Sequence, residues 1–191
     1  MVQVRLNNVR LAFDDLWVAK PYKAGDEPKF GATFLFPPGH PAEALVNAAV
    51  KEAAATSWGD DADDNIDMFK DNPNKCCFGK GDKKKKYDGF AGNLYIAAKN
   101  TTRPTVLDTN KAPLTKADGK PYGGCYVNAI IDVWAQKGEY AGIRASLQGV
   151  QYLRDGDAFS GGQVADTDDF EDLSDGADAP DMGGAATGGF A

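Results

Sequence analysis

Histidine is almost missing from this chain: 191 residues contain one, His40, in the stretch PPGHPAE. A Ser-His-Asp or Cys-His nucleophilic arrangement would have to run through that residue, and its place among prolines at a helix entrance is that of a loop residue. Cysteine is scarce as well. Cys76, Cys77 and Cys125 are odd in number, and neighbours in sequence rarely bond to each other, so there is no disulfide framework and a reducing, cytoplasmic setting is expected. One adjacent pair, one distant cysteine and one histidine do not make four zinc ligands at workable spacing, so no metal is expected. No apolar run approaches the ~20 residues that cross a bilayer. The N-terminal MVQVRLNNVRLAF alternates with period two where a signal peptide would be continuously hydrophobic, so a soluble, non-secreted protein without membrane partners is expected.

The longest stretch without lysine or arginine is at the C-terminal end. Residues 160–191 hold eight acids (Asp166, Asp168, Asp169, Glu171, Asp172, Asp175, Asp178 and Asp181) and no base. The chain has 28 acids and 21 bases, so residues 1–159 carry 20 acids against 21 bases, a net of +1. The formal charge of -7 thus belongs to the tail, and the body has a basic stretch, with twelve bases and five acids between Lys70 and Lys120. The tail is rich in Gly, Ala and Asp, with too few large apolar residues to offset ordering entropy, and is expected to be disordered. The expected division is a nucleic-acid-binding domain at 1–159 and an acidic tail at 160–191.

The body reads mainly as strands. VQVRL places Val2, Val4 and Leu6 on one face, and VRLAF does the same with Val9, Leu11 and Phe13, with a bulge or bend at Asn7-Asn8. FGATFLF stops at Pro37-Pro38-Gly39. PAEALVNAAVKEAAATSW is the one clear helix, with Leu45, Val46, Ala49, Val50 and Ala53 on a stripe and Pro41 in the first turn. The polar GDDADDNIDMFKDNPNK reads as a loop with a short helical turn. GNLYIAA, PTVLD, GCYVNAIIDVWAQ and YAGIRASLQGVQYLR follow as strands.

In YVNAIIDVWA, Val127, Ala129, Ile131, Val133 and Ala135 form an apolar face, opposite Tyr126, Asn128, Ile130, Asp132 and Trp134. In the next strand Ile143, Ala145, Leu147 and Gly149 alternate with Arg144, Ser146, Gln148, Val150, Tyr152 and Arg154. About six strands and one helix suit a closed or nearly closed β-barrel of the OB type.

The most unusual stretch is GKGDKKKKYDGFAGNLYIAA, a lysine run followed by aromatics and glycines. Single-stranded nucleic acid asks for that combination, cations along the phosphates and rings for the bases. Lys80, Lys83, Lys84, Lys85, Lys86, Lys99, Arg103 and Arg144 are the candidates for backbone contact, and Tyr87, Phe90, Tyr95, Tyr126 and Trp134 those for stacking. Gly79, Gly81, Gly89 and Gly92 would let the loop close over a strand. There is no helix-turn-helix or zinc-finger spacing, which argues against a duplex reader.

Enzyme chemistry has little support. As a calcium loop, DDADDNID offers Asp61, Asp63 and Asn65, but Ile66 stands in the glycine position and Asn72 in that of the closing glutamate. GKGDKK lacks the phosphate-loop pattern. No catalysis and no cofactor are expected. A mobile anionic tail beside a cationic groove would act as a nucleic-acid mimic. Asp168, Asp169, Phe170, Glu171, Asp172, Leu173 and Phe190 form short acidic-hydrophobic hooks for partner proteins.

The strand GCYVNAIIDVWA (124–135), the following GIRASLQGVQYLRDGDAF (142–159) and the early VRLAF…LW (9–17) resemble OB-fold single-stranded-DNA-binding proteins of tailed bacteriophages, over about residues 2–159. The resemblance implies sequence-independent single-stranded DNA binding and protection in phage replication or recombination, inside an infected bacterium. It also implies an acidic tail that regulates DNA access and recruits phage or host replication proteins. Such tails commonly end at or near a phenylalanine; here Phe190 matches, with Ala191 after it and GGAATGG separating it from the acids. A homodimer is left open, as is the choice of DNA over RNA. The competing reading is a protein-interaction adaptor whose tail carries the activity.

Overall fold

The computed structural model describes residues 1–159. The acidic tail from 160 onward, with its Asp168–Leu173 patch and Phe190, lies outside the described residues.

The described residues form seven strands: β1 (Val2–Lys20), β2 (Lys29–Phe36), β3 (Phe78–Lys80), β4 (Leu94–Asn100), β5 (Thr105–Leu107), β6 (Tyr126–Gln136) and β7 (Gly142–Arg154). Their order in the sheet is β3-β4-β2-β1-β6-β7-β5, antiparallel except for the β5–β7 pair. The fold is mainly β and OB-like, as its residue pattern indicates, but the ladder does not close into a continuous barrel. β3 and β5 are its edges. The two halves meet through one parallel bridge, in which Cys77 N–H donates to Ile143 O at 3.0 Å and Ile143 N–H donates to Lys75 O at 2.7 Å.

β1 is shared by both halves, pairing with β6 through its first part and with β2 through its second. It can do so because its register shifts three times, after Leu6, after Ala12 and after Asp15. The expected bulge falls between Leu6 and Val9, with Asn8 at φ 51°. A second irregularity follows Ala12, where Phe13 also sits at φ 51°. That second break corrects the expectation for Phe13: it leaves the core face of Val9 and Leu11 and is 47% exposed. A bulge between Ile130 and Ile131 likewise reverses the phase of β7, so Val150 and Tyr152 join the core beside Leu147, and Gly149 takes the outward place.

One layer of core lies between the sheet and the helices. Leu6, Leu11, Phe34, Ile96, Ile131, Ile143 and Leu147 are fully buried there. Helix α1 (Pro41–Trp58) packs on it through Val46, Ala49, Val50 and Ala53, with Leu45 turned to solvent. His40 is the cap of that helix, its Nδ1 accepting from Ala42 N–H at 3.1 Å, in keeping with its expected place at a helix entrance. The acidic stretch after it is more ordered than its composition suggests: α2 (Ala62–Phe69) follows a 3-10 turn and buries Phe69 against Trp58. Among the described residues no three His, Cys, Asp or Glu side chains converge as a metal site, and no helix is long and apolar enough to cross a membrane.

Candidate nucleic-acid interface

The face of the sheet turned away from the helices carries a single cross-strand row. Register pairs Gly79 with Tyr95, Tyr95 with Leu35, Leu35 with Arg10, Arg10 with Tyr126, and Tyr126 with Arg154. Cross-strand partners project to one face, so five strands deliver these side chains side by side. The cations stack on the rings: the Arg154 guanidinium lies 3.4 Å from the Tyr126 centroid, and Arg10 lies 5.7 Å from Tyr126 and 4.4 Å from Phe159.

A flap, residues 81–93, covers the β4 end of this row. It is tightly closed. Gly81 N–H donates to Asn93 O at 2.7 Å, Gly92 N–H to Asp82 Oδ1 at 2.8 Å, and Asn93 Nδ2 to Gly89 O at 2.8 Å. Its glycines have different tasks: a Cβ on Gly81 would lie 2.0 Å from Phe90 O, whereas Gly92 faces open space and is called for by its φ of 72°. Beneath the flap, Phe90 and Tyr95 are only 1% and 4% exposed and form a second small core with Ala12 and Leu35. In this conformation they do not offer the free stacking faces expected of them. Beside the flap the exposed rings are Tyr87, at 41%, and Phe13, which meet edge to face at 5.1 Å.

The lysine run divides. Lys84 lies 4.2 Å from the Tyr95 ring and Lys86 4.9 Å from that of Tyr87, both on the aromatic face. Lys85 is exposed. Lys83 instead pins the flap to the loop before β3, bonding Asp71 Oδ1 at 2.9 Å and Asp71 O at 2.8 Å. Lys80 pairs with Leu94, on the opposite side of the strand from Tyr95. Of the remaining candidates, Lys99 is on the aromatic face, two rungs from Tyr95 and 4.7 Å from the Tyr22 ring, while Arg103 lies 5.3 Å from Trp17. Trp134 and Arg144 are opposite each other at the far end of the β6–β7 hairpin. Eight residues of strand separate them from Tyr126, about 27 Å. There the Trp134 indole donates to Ser146 Oγ at 3.1 Å and Arg144 Nη1 donates to Asn74 O at 3.0 Å.

Reading the sequence for basic and aromatic clusters passed over Arg10, Phe13, Arg154 and Phe159 as site residues. Arg10 was legible, since Val9 and Leu11 face inward and leave it facing out. Phe13 and Phe159 carried no signal, because a bulge exposes one and an irregular segment places the other.

Burial beside Tyr95 and Phe90, and then the charge of Lys99, hold the Lys84 amine below the ordinary lysine range. None of the described carboxylates forms an ion pair with it. A base whose folded pKa lies below its unfolded one costs stability while charged, so the cost is in force at neutral pH and fades as pH rises through that interval. An anion docking there would remove it. In an NMR titration the Lys84 side chain is expected to lose its proton at lower pH than the exposed lysines, and Lys99→Ala should shift it upward. Co-titration of Lys84 with the bulk lysines would refute this.

Comparison with known proteins gives consistent matches. The family model described as "Enterobacter phage Enc34, ssDNA-binding protein" matches residues 2–181. A protein of Acyrthosiphon pisum secondary endosymbiont phage 1, called putative protein p50, is 43% identical over 176 residues, covering 91% of this chain and 95% of its own. The solved structure of the single-stranded DNA-binding protein of bacteriophage Enc34 is 28% identical with a TM-score of 0.66, over 87% of this chain and 88% of that one. The same phage protein in complex with ssDNA superposes with a TM-score of 0.69 at 23% identity, over 82% and 88%.

Proposed function

Because the chain belongs to the family of the Enterobacter phage Enc34 single-stranded-DNA-binding protein, we propose that it binds single-stranded DNA without sequence preference, through the aromatic face of residues 1–159. The observation that carries this reading is the row Arg10–Tyr126–Arg154 continuing into the lysine-edged flap. Guanidinium planes and the exposed rings of Phe13 and Tyr87 accept base faces, at ~1–3 kcal/mol per base, with little regard to base identity. Lys84, Lys86, Lys99 and Arg154 take the phosphates. Nothing in this arrangement requires a cofactor or breaks a bond, so the role is protection of exposed strands in phage replication or recombination, within the host cytoplasm.

The acidic tail enters as a competitor. It begins at residue 160, directly after Phe159, which lies on this face. Tethered anions compete at high effective concentration, and once displaced the Asp168–Leu173 patch and Phe190 become available to replication proteins. Deleting 160–191 is expected to tighten binding of oligo-dT by about tenfold at low salt, with the difference shrinking as salt screens the tail. An unchanged affinity would remove the tail from the mechanism. A mobility shift comparing single-stranded DNA, duplex DNA and RNA at two salt concentrations tests the whole reading. Equal or stronger retention of duplex would sink it, and failure to retain any nucleic acid would favour the adaptor.

A further inference from the structure

The last five described residues, Asp155-Gly156-Asp157-Ala158-Phe159, leave β7 and cross the aromatic face without regular structure. Their seat is built by glycines at close approach. A Cβ on Gly89 would lie 2.3 Å from the Phe159 ring, one on Gly124 would lie 2.1 Å from Asp157 O, and one on Gly156 would lie 2.4 Å from Gly124 O. The Phe159 ring rests beside the second small core, with the Arg10 guanidinium 4.4 Å from its centroid. Two donors of Arg10 are held by the backbone here, Nε by Gly124 O at 3.1 Å and Nη2 by Asp157 O at 2.7 Å. A flat ring against an apolar floor, topped by a guanidinium that holds an adjoining oxygen, is what a nucleobase and its phosphate would present.

We propose that this seat is a further nucleotide subsite, formed by Arg10, Leu35, Gly89 and Phe90, and that Phe159 fills it until a strand displaces it. The inference rests on the reading of this face as the strand-binding surface.

The segment is suited to leaving. Phe159 N–H donates one bond, to Gly123 O at 2.9 Å. The segment is pinned at its start, where Tyr122 donates to Asp155 at 2.8 Å, and hydrogen bonds from Tyr152 and Tyr122 hold the Asp155 carboxyl below the usual carboxylate range. Residues 157–159 can therefore lift about Gly156 while the sheet and its core stay intact. Arg10 would exchange Asp157 O for a phosphate oxygen and keep Gly124 O, so its orientation survives the exchange.

Amide hydrogen exchange on the full chain, with and without saturating dT20, provides the test. On saturation the peptide containing 157–159 should exchange faster, while flap and strand amides exchange more slowly. In parallel, Phe159→Ala should bind dT20 about fivefold tighter, because a self-competitor worth roughly one stacking contact is gone. Unchanged or increased protection at 157–159 while dT20 is bound overturns the subsite alone, as does a Phe159→Ala chain that binds more weakly, which would make the ring a buttress of the flap. A wild-type chain that binds no dT20 overturns the parent reading and this one with it.

Discussion

Replacing Lys84, Lys86, Lys99 and Arg154 together by alanine is expected to cost roughly a hundredfold in affinity for oligo-dT at low salt, since four solvent-facing charge contacts at ~0.7 kcal/mol each come to about 2.8 kcal/mol. The salt dependence should change with it. Each phosphate neutralised on a single strand contributes about 0.7 to the slope of log affinity against log salt, so four lost contacts flatten the slope by about 3. These four were chosen by position. Lys84 and Lys86 flank the Tyr95 and Tyr87 rings, Lys99 stands on the same face of β4, and Arg154 stacks on Tyr126. Their contacts within the domain are with rings and, for Arg154, with Asn8 Oδ1 at 3.2 Å, so the melting temperature should fall only modestly. Lys80→Ala is the matched control. It removes a charge from the same basic stretch but on the other side of the strand, and should alter affinity by less than about twofold. A quadruple variant that keeps its salt slope would show that the strand binds elsewhere.

The second large effect concerns stability. Phe34 is fully buried on β2, the strand that joins β1 to β4, and its register partners Leu11 and Ile96 are fully buried too. Removing a phenylalanine ring from such a site forfeits its transfer free energy and leaves a cavity that its neighbours cannot fill, about 3–5 kcal/mol in all. Domains of this size are stable by ~5–15 kcal/mol. Phe34→Ala should therefore lower the melting temperature by roughly 10 °C, at about 2–4 °C per kcal/mol. Oligo-dT affinity measured well below the transition should remain within about twofold, because Phe34 faces the helices and the proposed interface is on the other side of the sheet. Loss of affinity in step with stability would mean that the two faces are coupled.

Much of the fold was legible because strand alternation and the single alanine-rich helix are strong local signals. β6 was read with its full core face, Val127 to Val133, because the extra residue of each bulge along it belongs to the partner strand, β1 or β7, and its own alternation is unbroken. The misreadings occur at bulges. Phe13 and the Val150–Tyr152 pair were placed on the wrong faces because one extra residue inverts every later side chain, and a bulge is set by tertiary pairing rather than by composition. β3 was missed because Phe78-Gly79-Lys80 has no β-branched residue and runs into the glycine-rich flap, whereas the equally short β5 has Thr105 and Val106. The candidate site was legible as a neighbourhood but not as a geometry. Composition pointed to the flap and its lysines, yet it cannot say that Lys83 is tied to Asp71, that Phe90 and Tyr95 lie beneath the flap, or that Arg10 on β1 stands beside Tyr126 on β6. That last juxtaposition joins residues 116 positions apart in a chain whose ends of contact only pairing register defines.

The single bridge that joins Cys77 and Lys75 to Ile143 has a mechanical consequence. Along every other line of the sheet, parting two strands breaks a ladder; along this one it breaks two backbone hydrogen bonds and two from side chains, Arg144 to Asn74 O and Asn100 to Leu147 O. Local opening follows the least costly line, so the domain yields there first, like a sleeve with one fastened button. Stress applied between the two halves gathers at that fastening and spares the row of Arg10, Tyr126 and Arg154, which is held by the long β1–β6 and β6–β7 ladders even though bulges interrupt both.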